Sequence, residues 1–308
     1  MAGFVTLMER VPDRFDMILA QDHPHYMSLP GVSVLIGGMW VMNVSYWGFN
    51  QYIIQRALAA KSVKEAQKGI AFAAFLKLLM PVIVVLPGIA MYALNAELAT
   101  PDQAYPSAMA LLPAGMKGLV FAALLAAIVS SLASMCNSIS TIFTVDLLPS
   151  MVSEQWLDRH RLASGRGTAL IAMMIAMMTA QPLLGNFDQA FQYIQEFTGF
   201  FTPGIVAIFL LGMFWRQTTA TGALLAAVGS AVLSLAMKLL LPTLPFIDRV
   251  GLVFLLCVVI AVVWSLLRPQ PQPGYIEPSG VSFVTSTGFN AAGIVVSCML
   301  AFFYSTWW

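Results

Sequence analysis

Eight stretches of the sequence stay predominantly apolar for about 20 residues, the length an α-helix needs to cross the hydrocarbon core of a bilayer. They run from Gly31 to Ile54, Gly69 to Leu94, Gly118 to Phe143, Thr168 to Leu184, Ala190 to Phe214, Thr219 to Leu241, Val250 to Leu267 and Gly288 to Tyr304; the fourth is the shortest. A chain built this way folds as helices, because in lipid each backbone N–H and C=O must find its partner within its own segment. The expected fold class is therefore an all-α polytopic membrane protein of about eight transmembrane helices. Composition agrees, with 59% hydrophobic and only 9% charged residues, against roughly a quarter charged in a soluble domain. The 15 basic and 14 acidic residues nearly cancel, so net charge points neither to nucleic acid nor to an acidic substrate. Cys136, Cys257 and Cys298 fall inside apolar stretches without paired spacing and read as small apolar fillers, not disulfides or zinc ligands. Met1 to Pro30 mixes Glu9, Arg10, Asp13, Arg14 and Asp16 with single apolar residues, a pattern of neither signal peptide nor span.

Loop charges orient the chain, since Lys and Arg collect on the cytoplasmic side of short loops. The segments after spans one, three, five and seven carry Arg56, Lys61, Lys64 and Lys68, then Arg159, Arg161 and Arg166, then Arg216, then Arg268. The segments after spans two, four and six are poorer in basic residues, holding Arg249 and, at the edge of the third span, Lys117, beside Glu97, Asp102, Asp188 and Asp248. The first helix thus runs inward and both termini lie outside, with Pro269 to Pro278 as a Pro-rich cytoplasmic loop. Inner-membrane carriers more often start in the cytoplasm, so an external Met1 suggests preceding sequence.

Polar residues inside a bilayer are expensive and default to pathway or packing roles. Asn43, Tyr46, Trp47 and Asn50 are spaced i, i+3, i+4 and i+7 on one helical face. That face offers amides and an aromatic platform to a hydroxyl-rich ligand, or equally belt aromatics with asparagines as helix glue. Lys77 lies nine residues beyond Lys68, roughly 14 Å further along a helix, too deep for easy snorkelling. Its ammonium calls for a carboxylate, carbonyls or water, and Pro81 and Pro87 after it could free carbonyls by kinking the helix. A stripe of Ser130, Ser131, Ser134, Asn137, Ser138 and Thr141, with Ala127 a turn earlier, suits close helix packing or a hard cation held by neutral oxygens. In the fifth span Phe191 and Gln195 share one face, Gln192 and Glu196 another. A glutamine below an aromatic at the outer mouth could bond a polar solute, or simply mark a wet helix end. His23, His25 and His160 are expected in loops, and neither metal-ligand spacing nor a phosphate-cradling glycine run appears; an enzyme is not expected.

These residues carry a resemblance. The run WVMNVSYWGFNQYIIQRALAAKSVKEAQKGIAFAAFLKLLMPVIVVLPGIA (Trp40 to Ala90) resembles the sodium:solute symporter family in its branch for galactose- or glucose-type sugars. So do GLVFAALLAAIVSSLASMCNSISTIFTVD (Gly118 to Asp146) and QAFQYIQEFTG (Gln189 to Gly199), with looser likeness to the end. The resemblance implies a LeuT-like fold of five-plus-five inverted repeats around a midplane site, the first helix of each repeat being broken. The first span here would be the broken helix opening the second repeat. Residues 1–30 would be an external segment and 31–308 the transmembrane domain, with the first repeat absent.

By the same resemblance Asn43, Lys77 and Gln195 would bond sugar hydroxyls. Tyr46 would stack on the sugar as the inner gate, and Phe191 would belong to the outer gate. Trp47, Gln51 and Thr198 would support them. Ser130, Ser131 and the Ala127 carbonyl would form half of a site for Na+, the coupling ion. A missing N-terminal half would supply the remaining ligands. The implied activity is sodium-driven sugar symport by alternating access in a bacterial inner membrane. Inositol, sialic acid, proline or pantothenate are alternative cargoes. A truncated or split carrier half that binds without transporting is another reading.

Overall fold

A computed structural model describes residues 2–23, 25–27, 31–94, 97–184, 190–270 and 282–308. All regular structure among them is helical. In chain order the α-helices are α1 (Ala2–Arg10), α2 (Val32–Ile36), α3 (Gly38–Val44), α4 (Gln51–Leu58), α5 (Val63–Lys77), α6 (Leu86–Ala93) and α7 (Ala104–Ala110). They continue as α8 (Ala114–Ile142), α9 (Glu154–Leu184), α10 (Ala190–Gly199), α11 (Thr202–Phe214), α12 (Ala220–Leu240), α13 (Phe246–Leu267) and α14 (Thr287–Thr306). Six stretches are long and apolar enough to cross a membrane, and the α10–α11 pair, bent by 44°, makes a seventh candidate.

The first expected span is not one rod. Gly37 (φ −90°, ψ −110°) separates α2 from α3, Ser45–Phe49 forms a π-helical turn, and Asn50 is extended (φ −81°, ψ 115°) before α4 begins. The fourth expected span is longer than its apolar core: α9 starts at Glu154 and carries Arg159, Arg161 and Arg166 within a helix. Hydropathy marks where lipid begins, whereas a helix continues wherever its backbone bonds are uninterrupted. His160, expected in a loop, sits in α9 and stacks on Trp156. Most of the Pro-rich loop, including Pro278, and also Asp188, lie outside the described residues.

Two compact units emerge. The first comprises residues 1–50, 57–79 and 191–308. Its centre is the α11–α12–α13 bundle with α3 packed against α11 and α13. Val41, Val206, Ala226, Val253, Cys257 and Ala261 are fully buried there. Cys257 is thus a small apolar filler as expected, whereas Cys298 is exposed.

Small residues set the spacing of this bundle. A Cβ on Gly38 would sit 1.8 Å from the Ile247 carbonyl oxygen, and one on Gly251 2.9 Å from the Gly37 carbonyl carbon, so α3 and α13 touch backbone to backbone. A Cβ on Gly204 would meet the Ser230 Cβ at 2.7 Å. Without a hydrophobic force between helices in lipid, such closeness provides the dispersion contacts that hold a bundle together. Helix starts are capped by side chains: Ser62 accepts from the Glu65 N–H, Thr219 from Gly222 and Ser286 from Phe289. α14 lies against α5, where the Ser286 N–H donates to Gln67 Oε1 at 3.0 Å.

The second unit comprises residues 51–56 and 80–190. Here α8 packs against α9 and, near its start, against α7. The π-helical turn Pro81–Val85 precedes α6, the irregularity expected from Pro81.

Gly38→Ala should lower thermal stability in detergent by the equivalent of about 1–3 kcal/mol through overpacking. Gly212→Ala, whose Cβ would meet nothing within 4 Å, should stay near wild type in the same melt.

Candidate functional site

In the first unit the interruption of one helix packs against the inner arm of another interrupted one. The Ser45–Phe49 turn packs on α11, and the Phe49 ring stacks on Phe209 of α11 at 4.6 Å and 10°. α11 is the inner arm of the bent α10–α11 pair. Its break is sealed from α12: Ser230 Oγ donates to the Phe200 carbonyl at 2.8 Å and accepts from the Gly204 N–H at 3.0 Å. Within a bilayer, irregular backbone of this kind is tolerated where neighbouring groups take up the released carbonyls or where it lines a cavity.

The π turn presents Tyr46 and Trp47 outward, 42% and 40% exposed within the chain. Their rings meet edge to face at 5.4 Å. Lys77, the last residue of α5, places its ammonium 4.6 Å above the centroid of Trp47. A cation on an indole face gains about 0.5–1 kcal/mol when exposed and ~2 kcal/mol when desolvated. The helix C-terminus, where α5 ends, further favours a cation. Lys77 thus satisfies its charge on a ring and a helix end, and no carboxylate pairs with it among the described residues. It is exposed within the chain instead of deeply packed. Asn43 lies one turn before Tyr46 and commits an amide N–H to the Met39 carbonyl of its own helix at 2.9 Å.

The remaining residues of this set sit on α10. Phe191 is 74% exposed and Gln195 half-buried on the same face. The Thr198 hydroxyl donates to the carbonyls of Ile194 and Gln195, both at 3.0 Å, so Thr198 is occupied by its own helix. The structure brings Tyr46, Trp47 and Lys77 into direct contact; Asn43, Phe191 and Gln195 share their unit.

The serine stripe belongs to the second unit, all on the unbroken α8. Ala127, Ser130 and Ser131 are exposed within the chain, three neutral oxygens within about one turn. Hard neutral oxygens suit an alkali cation, although three are fewer than a full shell. The lower part of the stripe is engaged. Ser134 Oγ donates to the Ser130 carbonyl at 3.0 Å and accepts from the Arg56 guanidinium at 2.5 Å. Asn137 donates to Gln55 Oε1 at 3.1 Å, and Thr141 to the Asn137 carbonyl at 2.8 Å. The carbonyl that a stripe hydroxyl engages here is that of Ser130, about one turn from the Ala127 carbonyl that the resemblance implies as a sodium ligand. Gln51 opens α4 in this unit, half-buried. Among the described residues no cluster of His, Cys, Asp and Glu could hold a metal.

One constellation escaped sequence reasoning. Glu196 Oε1 accepts from Lys238 Nζ at 3.0 Å and from Arg249 at 2.9 Å, joining α10 to α12 and α13. The available signal was an acid inside an apolar segment together with Arg249, a basic residue in the acidic segment after span six.

Residues 4–229 match the sodium:solute symporter family model. The sodium/glucose cotransporter of Vibrio parahaemolyticus is 47% identical over 326 residues, a match covering 100% of this chain and 60% of the relative. A sodium/mannose cotransporter of Bos taurus is 30% identical over 291 residues, 82% of this chain and 48% of the relative. The sodium/myo-inositol cotransporter 2 of Homo sapiens is 34% identical over 233 residues, 69% and 34%. The chain therefore spans about 60% or less of the length of these relatives. With a family model covering most of its length and a relative that matches it throughout, this multi-pass membrane chain belongs to the sodium:solute symporter family, carriers coupled to Na+ and not enzymes.

Proposed function

We propose that the chain carries the sugar-contacting gates and half of the sodium site of a sodium-driven symporter for a galactose- or glucose-type sugar, in a bacterial inner membrane. The observation that carries this reading is the meeting of two interrupted helices at Phe49 and Phe209, with Tyr46, Trp47 and Lys77 gathered beside the break. Discontinuous helices are where secondary transporters place their substrate and ion sites.

In this reading Tyr46 stacks on the sugar's C–H face and closes the inward path. Asn43, Lys77 and Gln195 bond its hydroxyls, Phe191 covers it from outside, and Trp47, Gln51 and Thr198 hold the first set in place. Ala127, Ser130 and Ser131 bind sodium and bias the carrier outward-open; sugar follows, and movement of Tyr46 releases both inward. Each sodium charge contributes about 2.3 kcal/mol per 100 mV of membrane potential, before its concentration term. Residues 31–308 act as the second repeat and C-terminal helices, completed by an N-terminal half. The names of the relatives favour an uncharged polyol: glucose, mannose and myo-inositol all present hydroxyls and no carboxylate. That sets sialic acid, proline and pantothenate behind a sugar or inositol.

Labelled galactose uptake into proteoliposomes tests this, using the chain alone and fused behind the N-terminal portion of the Vibrio relative. The fusion should take up galactose under an inward sodium gradient. Tyr46→Ala and Gln195→Ala should each reduce uptake about tenfold or more, the scale of one stacked ring or one buried hydrogen-bonded pair. Equal uptake with potassium in place of sodium would overturn the proposal.

The double variant Ser130→Ala, Ser131→Ala should need a higher sodium concentration for half-maximal uptake, with the galactose requirement little changed at saturating sodium. In a thermal-shift panel with sodium, galactose or glucose at a hundredfold excess over Kd should stabilise the fusion by about 2.7 kcal/mol. Sialic acid, proline and pantothenate should leave its melting temperature in place.

A further inference from the structure

We infer that Glu196 is a positioning residue, an ion-pair latch through which α12 and α13 hold the outer helical arm that carries Phe191 and Gln195. The inner arm, α11, is embedded in the bundle through the close Gly204–Ser230 approach and buried Val206 and Ala207. α10 is different: among the described residues it forms no extensive interface with another helix. Two of its attachments fix the half nearest the bend. At its foot Gly199 is buried, and a Cβ there would meet Val250 Cγ2 at 3.2 Å. One turn out, Glu196 Oε1 takes the Arg249 guanidinium at 2.9 Å and the Lys238 ammonium at 3.0 Å.

The geometry suits a latch. Arg249 is only 12% exposed and Glu196 27%, so their pair is shielded, whereas Lys238 at 46% is the softer partner. Lys238 also lies 5.9 Å from the Phe200 ring centroid, in the break itself, so one ammonium lies beside both α10 and the 44° bend. Glu196 follows Gln195 directly and so projects about 100° around the helix from it. The latch therefore grips α10 from its flank and leaves the Phe191–Gln195 face uncovered. Neutralising Glu196 leaves the two cations on α12 and α13 without their shared acid and takes from α10 its ion-paired attachment, which frees the arm.

The test uses spin labels at Ile194→Cys on α10 and Leu224→Cys on α12, both exposed, with Cys136 and Cys298 replaced by serine and buried Cys257 retained. The full chain in detergent should show one narrow distance distribution. Glu196→Gln should add a displaced population and raise the displaced-to-docked ratio about tenfold, the scale of a charged hydrogen bond. Arg249→Lys should keep the arm docked, and Lys238→Gln should shift it less than Glu196→Gln does. Lys238→Gln gives the same reading should Glu196→Gln fail to fold. A distribution unmoved by either neutralising variant overturns the latch.

Calling α10 a gate rests on the proposed symport, and a second readout separates the two ideas. In the fusion, Glu196→Gln should raise the galactose KM with a smaller effect on kcat. A released arm in a protein that never transports sugar would keep the latch and remove the symport. An unmoved arm with intact sodium-driven uptake would do the reverse.

Discussion

Everything in this molecule follows from the absence of water in the hydrocarbon core, where a backbone N–H or C=O without a partner costs several kcal/mol. That cost keeps the described regular structure helical, and it gives each interruption a meaning. The breaks at Gly37, at Ser45–Asn50 and at Phe200–Phe201 persist because something nearby absorbs what they release. At Phe200 it is the Ser230 hydroxyl, which accepts from one side of the break and donates to the other. At Gly37 the chain folds onto α13 so closely that the contact tolerates no side chain. Irregularity placed against a rigid, small-residue bundle is irregularity that can be held in one geometry.

The polar side chains divide accordingly. On α8 the stripe from Ser134 onward is bound to its own helix and to Gln55 and Arg56, while Ala127, Ser130 and Ser131 are exposed within the chain, the Ser130 carbonyl accepting from Ser134. In the first unit, Lys77 finds an aromatic face and a helix end. An ammonium held by a ring keeps its hydrogen-bond donors, whereas one locked to a carboxylate would not. A ligand rich in hydroxyls could therefore engage it without first breaking an ion pair, whose rupture in a low-dielectric site is costly.

Much of this was legible in the sequence. Apolar runs of bilayer length located the helices, because their length requirement is set by the membrane and not by tertiary packing. Pro81 marked the irregularity in the second span, whereas the single face expected to hold Asn43, Tyr46, Trp47 and Asn50 is interrupted by the Ser45–Phe49 π turn and the extended Asn50. Other features were not legible. The expected rod from Gly31 to Ile54 is interrupted, since nothing in hydropathy distinguishes a glycine that packs from one that breaks. Arg159, Arg161 and Arg166 were placed in a loop because charge was taken as the end of a helix, when it marks the end of lipid. For Lys77 the expectation is a carboxylate, carbonyls or water, because spacing along a helix reports depth but not the Trp47 ring opposite. The Glu196 pairs join residues 42 and 53 positions apart, a separation over which local periodicity carries no information.

Glu196 also shows why a lone acid in an apolar segment is ambiguous until its partners are seen. A carboxylate serving a solute would face the same side as Gln195 and keep lone pairs available. Here one oxygen is shared by two cations on neighbouring helices, which suits anchorage. The pairing places these three charges beside the bend, not on the Phe191–Gln195 face of α10. A polyol entering between Tyr46 and Phe191 would then meet aromatic faces, amides and one ring-held ammonium. Such a surface favours hydroxyls without demanding a charge in return, in keeping with uncharged cargoes across the relatives.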